Sequence, residues 1–230
     1  MVTAIIVAGG RGVRMGLAVK KQYAELSGRP VLCHTLSAFA RHPGISALVL
    51  AAPQEDFGFL QEKVLPLVSP QRPVVLAPGG AERQDSVLSG LSRVDPGCEI
   101  VLVHDGVRPF AGRELISACI AAAREHGAAI AAVPASDTIK TADENGFVRD
   151  TLDRGSVWLT QTPQAFRLPL LLSAHRRAQK LGLLATDDAA LVEAAGGRVK
   201  LVPGSRQNIK LTTIEDLELA QAIFQSRARE

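Results

Sequence analysis

The 230-residue sequence contains only three cysteines, which lie far apart and form no C-x-x-C pair. So small and odd a number argues against both a disulfide framework and a zinc site, and favours a reducing compartment. The N-terminus lacks the basic and then apolar segments of a secretory signal peptide. No apolar run is long enough to cross a bilayer. We therefore expect a cytoplasmic protein with no membrane partner.

The excess of positive over negative charge is also small. The formal net charge is only +3, and no dense block of Lys and Arg occurs. Nucleic-acid-binding proteins usually carry a stronger basic footprint, so nucleic acid is not expected as a partner. A mildly basic protein suits small anionic ligands instead.

Apolar runs that alternate with helical patterns predict an α/β fold. Continuous apolar runs are typical of strands that are buried on both faces. The predicted strands are 4–8, 47–52, 73–77, 100–104 and 128–133, followed by short strands at 157–159 and 199–202. The predicted helices are 30–41, 56–67, 85–94, 112–126, 168–181, 187–195 and a last helix capped by Thr213. This order predicts a single domain, 1–230, with a Rossmann-like, mostly parallel sheet flanked by helices. Ligands of such sheets bind at the carboxyl ends of the strands.

The polar segment 136–156 interrupts this pattern. It contains Asn145-Gly146, the strongest short signal for a β-hairpin. A polar hairpin is only marginally stable alone, so we expect it to be an arm that leans on a second subunit. An exposed surface excursion is the alternative.

The stretch "VAGGRGVRMG" (7–16) follows the first predicted strand directly. It does not fit the dinucleotide fingerprint, because the third glycine comes one place late and no carboxylate ends the next strand. It does not fit a Walker loop either, because Gly16 is followed by Leu17 instead of Lys. The glycines could also form a tight turn that binds no ligand, and this alternative is left open. The four cations that crowd this region favour a loop that binds phosphate: Arg11, Arg14, Lys20 and Lys21.

The motifs together resemble the family of 2-C-methyl-D-erythritol 4-phosphate cytidylyltransferases, which belong to the non-mevalonate isoprenoid pathway. The resemblance covers essentially the whole chain. It rests on "AGGRGVRMG…KKQY" (8–23), "GGAERQDSV" (79–87), "VHDGVRPF" (103–110), "SDTIK" (136–140), "DRGSVWLTQTPQAF" (153–166), "TDDAAL" (186–191) and "NIKLTT" (208–213). It implies a fold of the nucleotide-diphospho-sugar transferase type with a protruding β-arm. It also implies transfer of a cytidylyl group from CTP to the sugar-alcohol phosphate, by in-line attack on the α-phosphate with loss of pyrophosphate.

The resemblance assigns the site residues in three groups. The catalytic cations would be Arg14, Lys21 and Lys210. CTP would contact Ala8, Gly9, Gly10, Gly12, Gly80, Ala81, Ser86, Asp105 and Gly106. The acceptor would contact Arg108, Thr138, Arg154, Thr162 and Thr186. By the same resemblance, 136–156 is the arm of a homodimer and carries Thr138 and Arg154 into the partner's site.

Two approaching phosphates require a divalent cation, and Mg²⁺ is the expected cofactor. The sequence shows no carboxylate cluster for a protein cage, so the triphosphate and water would hold most of the ion, with Asp105 as a weak protein ligand. Three further expectations concern neighbouring residues. Lys20 is expected to be solvated, His104 to be packed in the core, and Asp187 and Asp188 to cap a helix.

Two other functions stay open. A ribitol 5-phosphate cytidylyltransferase shares the glycine loop, but such relatives commonly lose the lysine of "DTIK" and vary "TDDAAL". Lys140 and Thr186 therefore favour the 2-C-methyl-D-erythritol 4-phosphate cytidylyltransferase over the ribitol 5-phosphate enzyme. A non-catalytic nucleotide-binding protein would be expected to lose one of the catalytic cations, and all of them are present.

Overall fold

A seven-stranded sheet lies at the centre of the computed structural model, which describes residues 1–9, 20–68, 70 and 72–227. Its strands are β1 (Val2–Val7), β4 (Ala47–Ala52), β5 (Val74–Pro78), β6 (Ile100–Asp105), β7 (Ala128–Pro134), β10 (Trp158–Arg167) and β11 (Lys200–Pro203). Their order is β11-β7-β10-β6-β1-β4-β5, and only β10 runs antiparallel to its neighbours. The predicted mostly parallel sheet is confirmed.

Helices cover both faces of this sheet. They are α1 (Val31–Ala40), α2 (Phe57–Phe59), α3 (Leu65–Val68), α4 (Arg83–Leu91), α5 (Arg113–His126), α6 (Leu168–Leu181), α7 (Asp188–Ala194) and α8 (Ile214–Arg227). Successive side chains of a strand point to opposite faces. Ile6 of β1 accordingly packs in one core cluster with residues of α1 and α5, and its neighbour Ile5 packs in another with residues of α4 and α6. The apolar runs are thus buried on both sides, as predicted.

Most helices and strands lie within two residues of the predicted bounds, and two predictions were wrong. The strand predicted at 157–159 is the first part of the ten-residue β10. Its polar continuation "TQTP" lacks apolar alternation, and Pro163 sits where the pairing with β7 is irregular, between Thr160 and Gln164. Such irregularities are where a strand tolerates proline. The helix predicted at 56–67 is interrupted by a π-helix at Leu60–Val64.

The predicted hairpin in 136–156 is confirmed. Strands β8 (Lys140–Ala142) and β9 (Val148–Thr151) pair antiparallel around Asn145-Gly146, and Gly146 has a φ of 85°. A second small hairpin joins β2 (Glu25–Leu26) to β3 (Arg29–Pro30). It packs with α8 in a third cluster that contains Leu26 and Ala220. None of the described helices is long and apolar enough to cross a membrane.

Candidate active site

The carboxyl ends of β1, β5 and β6 meet at one edge of the sheet. Val7 at the end of β1 pairs with Asp105 at the end of β6, and β5 leads directly into Gly79-Gly80. This is where an α/β sheet of this kind is expected to bind its ligand. Two adjoining cavities open there.

The first cavity, of about 200 Å³, is lined mainly by segments that the sequence analysis assigned to CTP. Its wall includes the predicted residues Ala8, Gly9, Lys21, Gly80, Ala81, Ser86, Asp105 and Lys210. The predicted residues Gly10, Gly12 and Arg14 lie outside the described residues. The backbone of the two glycine-containing segments is therefore exposed to one cavity, together with two of the predicted catalytic cations.

Packing against Asp85 explains why residue 80 is a glycine. A Cβ on Gly80 would overlap Asp85, whose carboxylate accepts from the Glu82 N–H in the capping box of α4. The Gly80 N–H donates to Ser86 Oγ over 3.0 Å, and that hydroxyl donates to Glu82 O. Ser86 is buried, so its hydroxyl fixes the loop against the first turn of the helix.

Lys21 is carried by a short segment whose neighbouring side chains are anchored to the rest of the fold. The buried Gln22 donates through Nε2 to Ala8 O over 2.9 Å, which ties this segment to the end of β1. Lys20 was expected to be solvated, but its Nζ lies 2.7 Å from Asp56 Oδ2. Tyr23 donates to the same carboxylate over 2.8 Å. Burial and the neighbouring Asp56 raise the pKa of Tyr23, so the phenol keeps the proton that it donates.

The second cavity, of about 190 Å³, contains three of the predicted acceptor residues, Arg108, Thr162 and Thr186. The other described residues that line it are all polar: Arg83, Asp105, Thr160, Gln161, Gln164, Asp187 and Lys210. Three of these residues, Arg83, Asp105 and Lys210, also line the first cavity. The two cavities therefore share a charged wall.

Asp105 is the centre of that wall. Lys210 Nζ lies 2.8 Å from its Oδ2, Arg83 Nε lies 3.1 Å from its Oδ1, and Arg108 Nε lies 3.7 Å from Oδ2. Burial by itself would raise the pKa of Asp105, but the three cations outweigh burial and hold that pKa below its ordinary value. Asp105 is therefore ionised at any working pH.

His104 is buried behind Asp105, as predicted, and orients Thr162. Burial lowers the pKa of His104 to about 4, so the ring is neutral. Its Nε2 faces the Arg108 carbonyl at 3.0 Å and must carry the proton, because a carbonyl only accepts. Nδ1 then accepts from the Thr162 hydroxyl at 2.9 Å, and that oxygen accepts from the Asp105 N–H. The chain of hydrogen bonds fixes the backbone that carries Asp105 and Arg108.

Lys210 reaches the shared wall from a loop and not from a strand. The strand β11 ends at Pro203, and Lys210 lies in the following loop. The buried Asn208 donates to Thr162 O over 2.8 Å, and the Leu211 N–H donates to Val107 O over 3.0 Å. The anchored residues Asn208 and Leu211, one on each side of Lys210 in the sequence, therefore fix the position of its backbone.

The interpretation of both Asp187 and Asp188 as helix caps holds for only one of them. Asp187 caps α7 by accepting from the Ala190 N–H. Asp188 is instead buried, and it lies 2.6 Å from Arg83 Nη1 and 3.0 Å from His175 Nε2. The sequence analysis missed the roles of Arg83 and Gln22, although both lie in motifs quoted there, "GGAERQDSV" and "KKQY".

Three predicted residues lie away from both cavities in the described part of this single chain. Gly106 is packed between β1 and α1: its N–H donates to Val7 O, its carbonyl accepts from Thr35, and a Cβ would lie 3.1 Å from Leu32 Cδ1. Thr138 and Arg154 belong to the arm, where Arg154 donates to Ser136 O.

The described residues contain no group of three or more metal-binding side chains. Among the residues that the structure describes, Asp105 is the one carboxylate common to both cavities, and its oxygens face Arg83, Arg108 and Lys210. Mg²⁺ keeps several waters and is often bound by one or two carboxylates plus substrate phosphates. The residues present fit Mg²⁺ in that form, as an ion that arrives with a triphosphate.

Comparisons with known proteins agree over nearly the full chain. The sequence model of a family described as IspD, 2-C-methyl-D-erythritol 4-phosphate cytidylyltransferase, matches residues 2–226. The 2-C-methyl-D-erythritol 4-phosphate cytidylyltransferase of Pelotomaculum thermopropionicum is 44% identical over 226 residues, which cover 98% of this chain and 95% of that protein. The bifunctional enzyme IspD/IspF of Desulforudis audaxviator is 48% identical over 96% of this chain, and the match spans 56% of that longer protein. The crystal structure of the 4-diphosphocytidyl-2C-methyl-D-erythritol synthase from Anaerococcus prevotii has a TM-score of 0.86 at 35% identity, and the match covers 97% of this chain and 98% of that one.

Proposed function

The chain belongs to the family of 2-C-methyl-D-erythritol 4-phosphate cytidylyltransferases, and we propose that its two adjoining cavities hold the two substrates of that reaction. The enzyme transfers the cytidylyl group of CTP to 2-C-methyl-D-erythritol 4-phosphate. An oxygen of the 4-phosphate bonds to the α-phosphorus, the bond from that phosphorus to the β-phosphate oxygen breaks, and pyrophosphate leaves. The product is 4-diphosphocytidyl-2-C-methyl-D-erythritol. The wall shared by both cavities carries this proposal, because it brings two anionic substrates to one set of cations.

CTP occupies the first cavity in this proposal. The backbone beside Gly80 and Ala81 is open to the cavity, so it can bond the edge of a base. Asp105 lines the same cavity and can accept from a ribose hydroxyl. Lys21 lines this cavity together with Ala8 and Gly9 of the glycine segment, and we assign it to the α-phosphate together with Arg14.

The acceptor occupies the second cavity. Its hydroxyls suit the hydroxyl and amide groups that line this cavity, such as Thr186 and Gln161. Arg108 would bind its phosphate, since a guanidinium binds a phosphate through two parallel hydrogen bonds. Lys210 faces both cavities and would contact the attacking phosphate and the α-phosphate together. Catalysis of such a transfer consists mainly of two effects: the two phosphates are held in line, and the charge on the equatorial oxygens of the α-phosphate is neutralised.

Mg²⁺ is proposed as the cofactor. When bound, it would neutralise charge on the triphosphate and on the pyrophosphate leaving group. Asp105 is the residue that could supply a protein ligand, and Lys210 would then have to give up its contact with Oδ2.

We also propose a homodimer in which the arm, 136–156, packs on the partner. The arm and the strand that follows it expose large apolar side chains: Phe147, Val148, Leu152, Trp158 and Leu159. Such side chains gain free energy when a second surface covers them. Since Thr138 and Arg154 lie outside the cavities of their own chain, the arm would deliver them to the partner's site. A cytoplasmic location is proposed as well, and it is supported by three cysteines that are buried as free thiols.

Release of pyrophosphate tests the function. The purified protein is incubated with CTP, Mg²⁺ and 2-C-methyl-D-erythritol 4-phosphate, and ribitol 5-phosphate serves as the control acceptor. We expect rapid release with the first and release slower by about 100-fold or more with the second. A folded protein that binds CTP but releases no pyrophosphate with the first acceptor would contradict the proposal.

A pair of variants tests which cavity holds which substrate. Thr186→Val changes only the second cavity and should raise KM for the acceptor while KM for CTP stays near its normal value. Ala81→Leu narrows the first cavity and should raise KM for CTP alone. The reverse pattern would mean that the two assignments are exchanged.

A further inference from the structure

Arg83 connects three parts of the fold that are distant in the sequence. It is the first residue of α4, and its Nε lies 3.1 Å from Asp105 at the end of β6. Its Nη1 lies 2.6 Å from Asp188 at the start of α7. One guanidinium thus bridges two carboxylates, one in the shared wall and one behind it.

The carboxylate behind the wall is itself held rigidly. Asp188 Oδ1 lies 3.0 Å from His175 Nε2, and both side chains are almost completely buried. The Asp188 N–H donates to the side-chain oxygen of Gln164, which lies on β10. We call His175 and Asp188 the buried anchor, because they hold Arg83 from the side away from substrate.

Stability alone does not account for this arrangement. Arg83 Nη2 is buried and has no hydrogen-bond partner among the described residues, and an unsatisfied buried donor costs free energy. Replacing buried ion pairs by packed apolar groups is often neutral or stabilising. Arg83 also lines both substrate cavities, which a purely stabilising ion pair need not do.

Arg83 and Lys210 share Asp105 but differ in freedom to move. The Lys210 side chain is 39% exposed, whereas that of Arg83 is 24% exposed and held at both ends. A phosphate that enters the shared wall can therefore attract Lys210 away from Asp105. Asp105 then needs a counter-ion that stays, because an unpaired buried carboxylate is unfavourable.

We propose that Arg83 is a positioning residue: it is the permanent counter-ion of Asp105, held by the buried anchor, and it releases Lys210 to the reacting phosphates. This inference rests on the role assigned to Lys210 under the proposed function. Without Arg83, Lys210 would stay on Asp105, and the transition state would lose its contact with Lys210.

A double-mutant cycle between Arg83 and Lys210 tests the inference, with kcat and both KM values as readouts. Arg83→Met should lower kcat by about 100-fold in the wild-type background, as loss of one preorganised charge contact in the transition state does. In the Lys210→Met background the same change should lower kcat by less than about threefold, because the two residues act as a unit. Arg83→Lys should restore part of the loss, and Asp188→Asn should act in the same direction as Arg83→Met.

Arg124→Gln is the matched control, because it breaks the exposed Arg124–Glu99 ion pair, which lies outside both cavities. It should leave kcat unchanged. Thermal unfolding by circular dichroism is measured for every variant, and Arg83→Lys replaces Arg83→Met in the cycle if Arg83→Met does not fold. A cycle whose two losses multiply would overturn the inference while leaving the proposed function intact. Normal kcat in Lys210→Met would overturn the assignment of Lys210, and the inference with it.

Discussion

Lys210 Nζ and Asp105 Oδ2 lie 2.8 Å apart, although one residue precedes α8 and the other ends β6. This contact closes the wall between the two cavities and gathers three cations around one carboxylate. The wall is thus already organised around a negative charge. A substrate phosphate can therefore take the place of the Asp105 carboxylate as the partner of one of these cations, with no large rearrangement of the fold.

Asp105→Asn should make the protein respond more strongly to inorganic phosphate. The amide removes the negative charge and leaves Arg83 and Arg108 without a full counter-ion, which should cost on the order of 3 kcal/mol of unfolding free energy. A bound phosphate can replace that charge and stabilise the native state by mass action. The rise in Tm with phosphate should therefore be larger for Asp105→Asn than for wild type, at ionic strength fixed with NaCl. Asp150→Asn, on the exposed arm, should behave like wild type, and an equal response of all three proteins would contradict the prediction.

Lys21→Ala should lower kcat by about 100-fold or more, because preorganised charge on the transferring phosphate is a large part of catalysis. Thermal unfolding is measured beside kcat, because Lys21 is only partly exposed and a loss of stability must be separated from a loss of catalysis. Lys180→Ala, an exposed lysine on α6, is the control and should change neither quantity. Near-normal kcat in Lys21→Ala would show that another cation serves the α-phosphate.

Gly80→Ala should raise KM for CTP, because its Cβ would overlap Asp85 and force the loop away from α4. Gly58→Ala is a matched control in α2, where an added Cβ meets no atom within 4 Å. That change should stabilise the protein by about 0.5–1 kcal/mol through helix propensity and leave KM unaltered. Equal KM values for CTP in the two variants would mean that the loop does not shape the nucleotide cavity.

Stability should fall as the pH drops from about 6.5 towards 4.5. The pKa of native His104 is about 4, against an ordinary value of 6.5 that the unfolded chain approaches, so the unfolded state binds more protons in this window. Burial also lowers the pKa values of His34 and His42 and adds to the same trend. One such histidine contributes a slope of up to about 1.4 kcal/mol per pH unit. Urea unfolding at several pH values measures the slope of unfolding free energy against pH. This slope should be shallower for His104→Gln than for wild type. Identical slopes would contradict the assignment of part of the slope to His104.

Mixing two inactive variants tests the arm. In a mixed dimer of Lys21→Ala and Arg154→Ala chains, one site has an intact Lys21 and receives an intact arm. Random exchange makes half of the dimers mixed, so activity should recover to about a quarter of the wild-type value. Dimers of each variant alone provide the baseline, and native mass spectrometry confirms exchange. No recovery in confirmed mixed dimers would show that Arg154 does not act across the interface.

The order of strands and helices was largely set by local sequence. Apolar runs, Asn145-Gly146 and the glycine segment depend on hydrophobic periodicity and turn geometry, which involve neighbouring residues only. The position of Ala8, Gly80 and Asp105 at one edge of the sheet could likewise be anticipated, because the carboxyl ends of parallel strands lie there; their contacts with CTP were implied by the family resemblance.

Tertiary structure alone decided how the charges pair. Arg83 meets Asp188, and Lys210 meets Asp105, because the sheet order brings α4, β6, α7 and the loop after β11 together. No periodicity encodes such contacts, since they depend on where distant segments cross. The same reason explains why Asp188 resembled a second helix cap and why the polar part of β10 was missed: a local pattern indicates which residues can bury a charge or extend a strand, and only the packed neighbours determine which ones do.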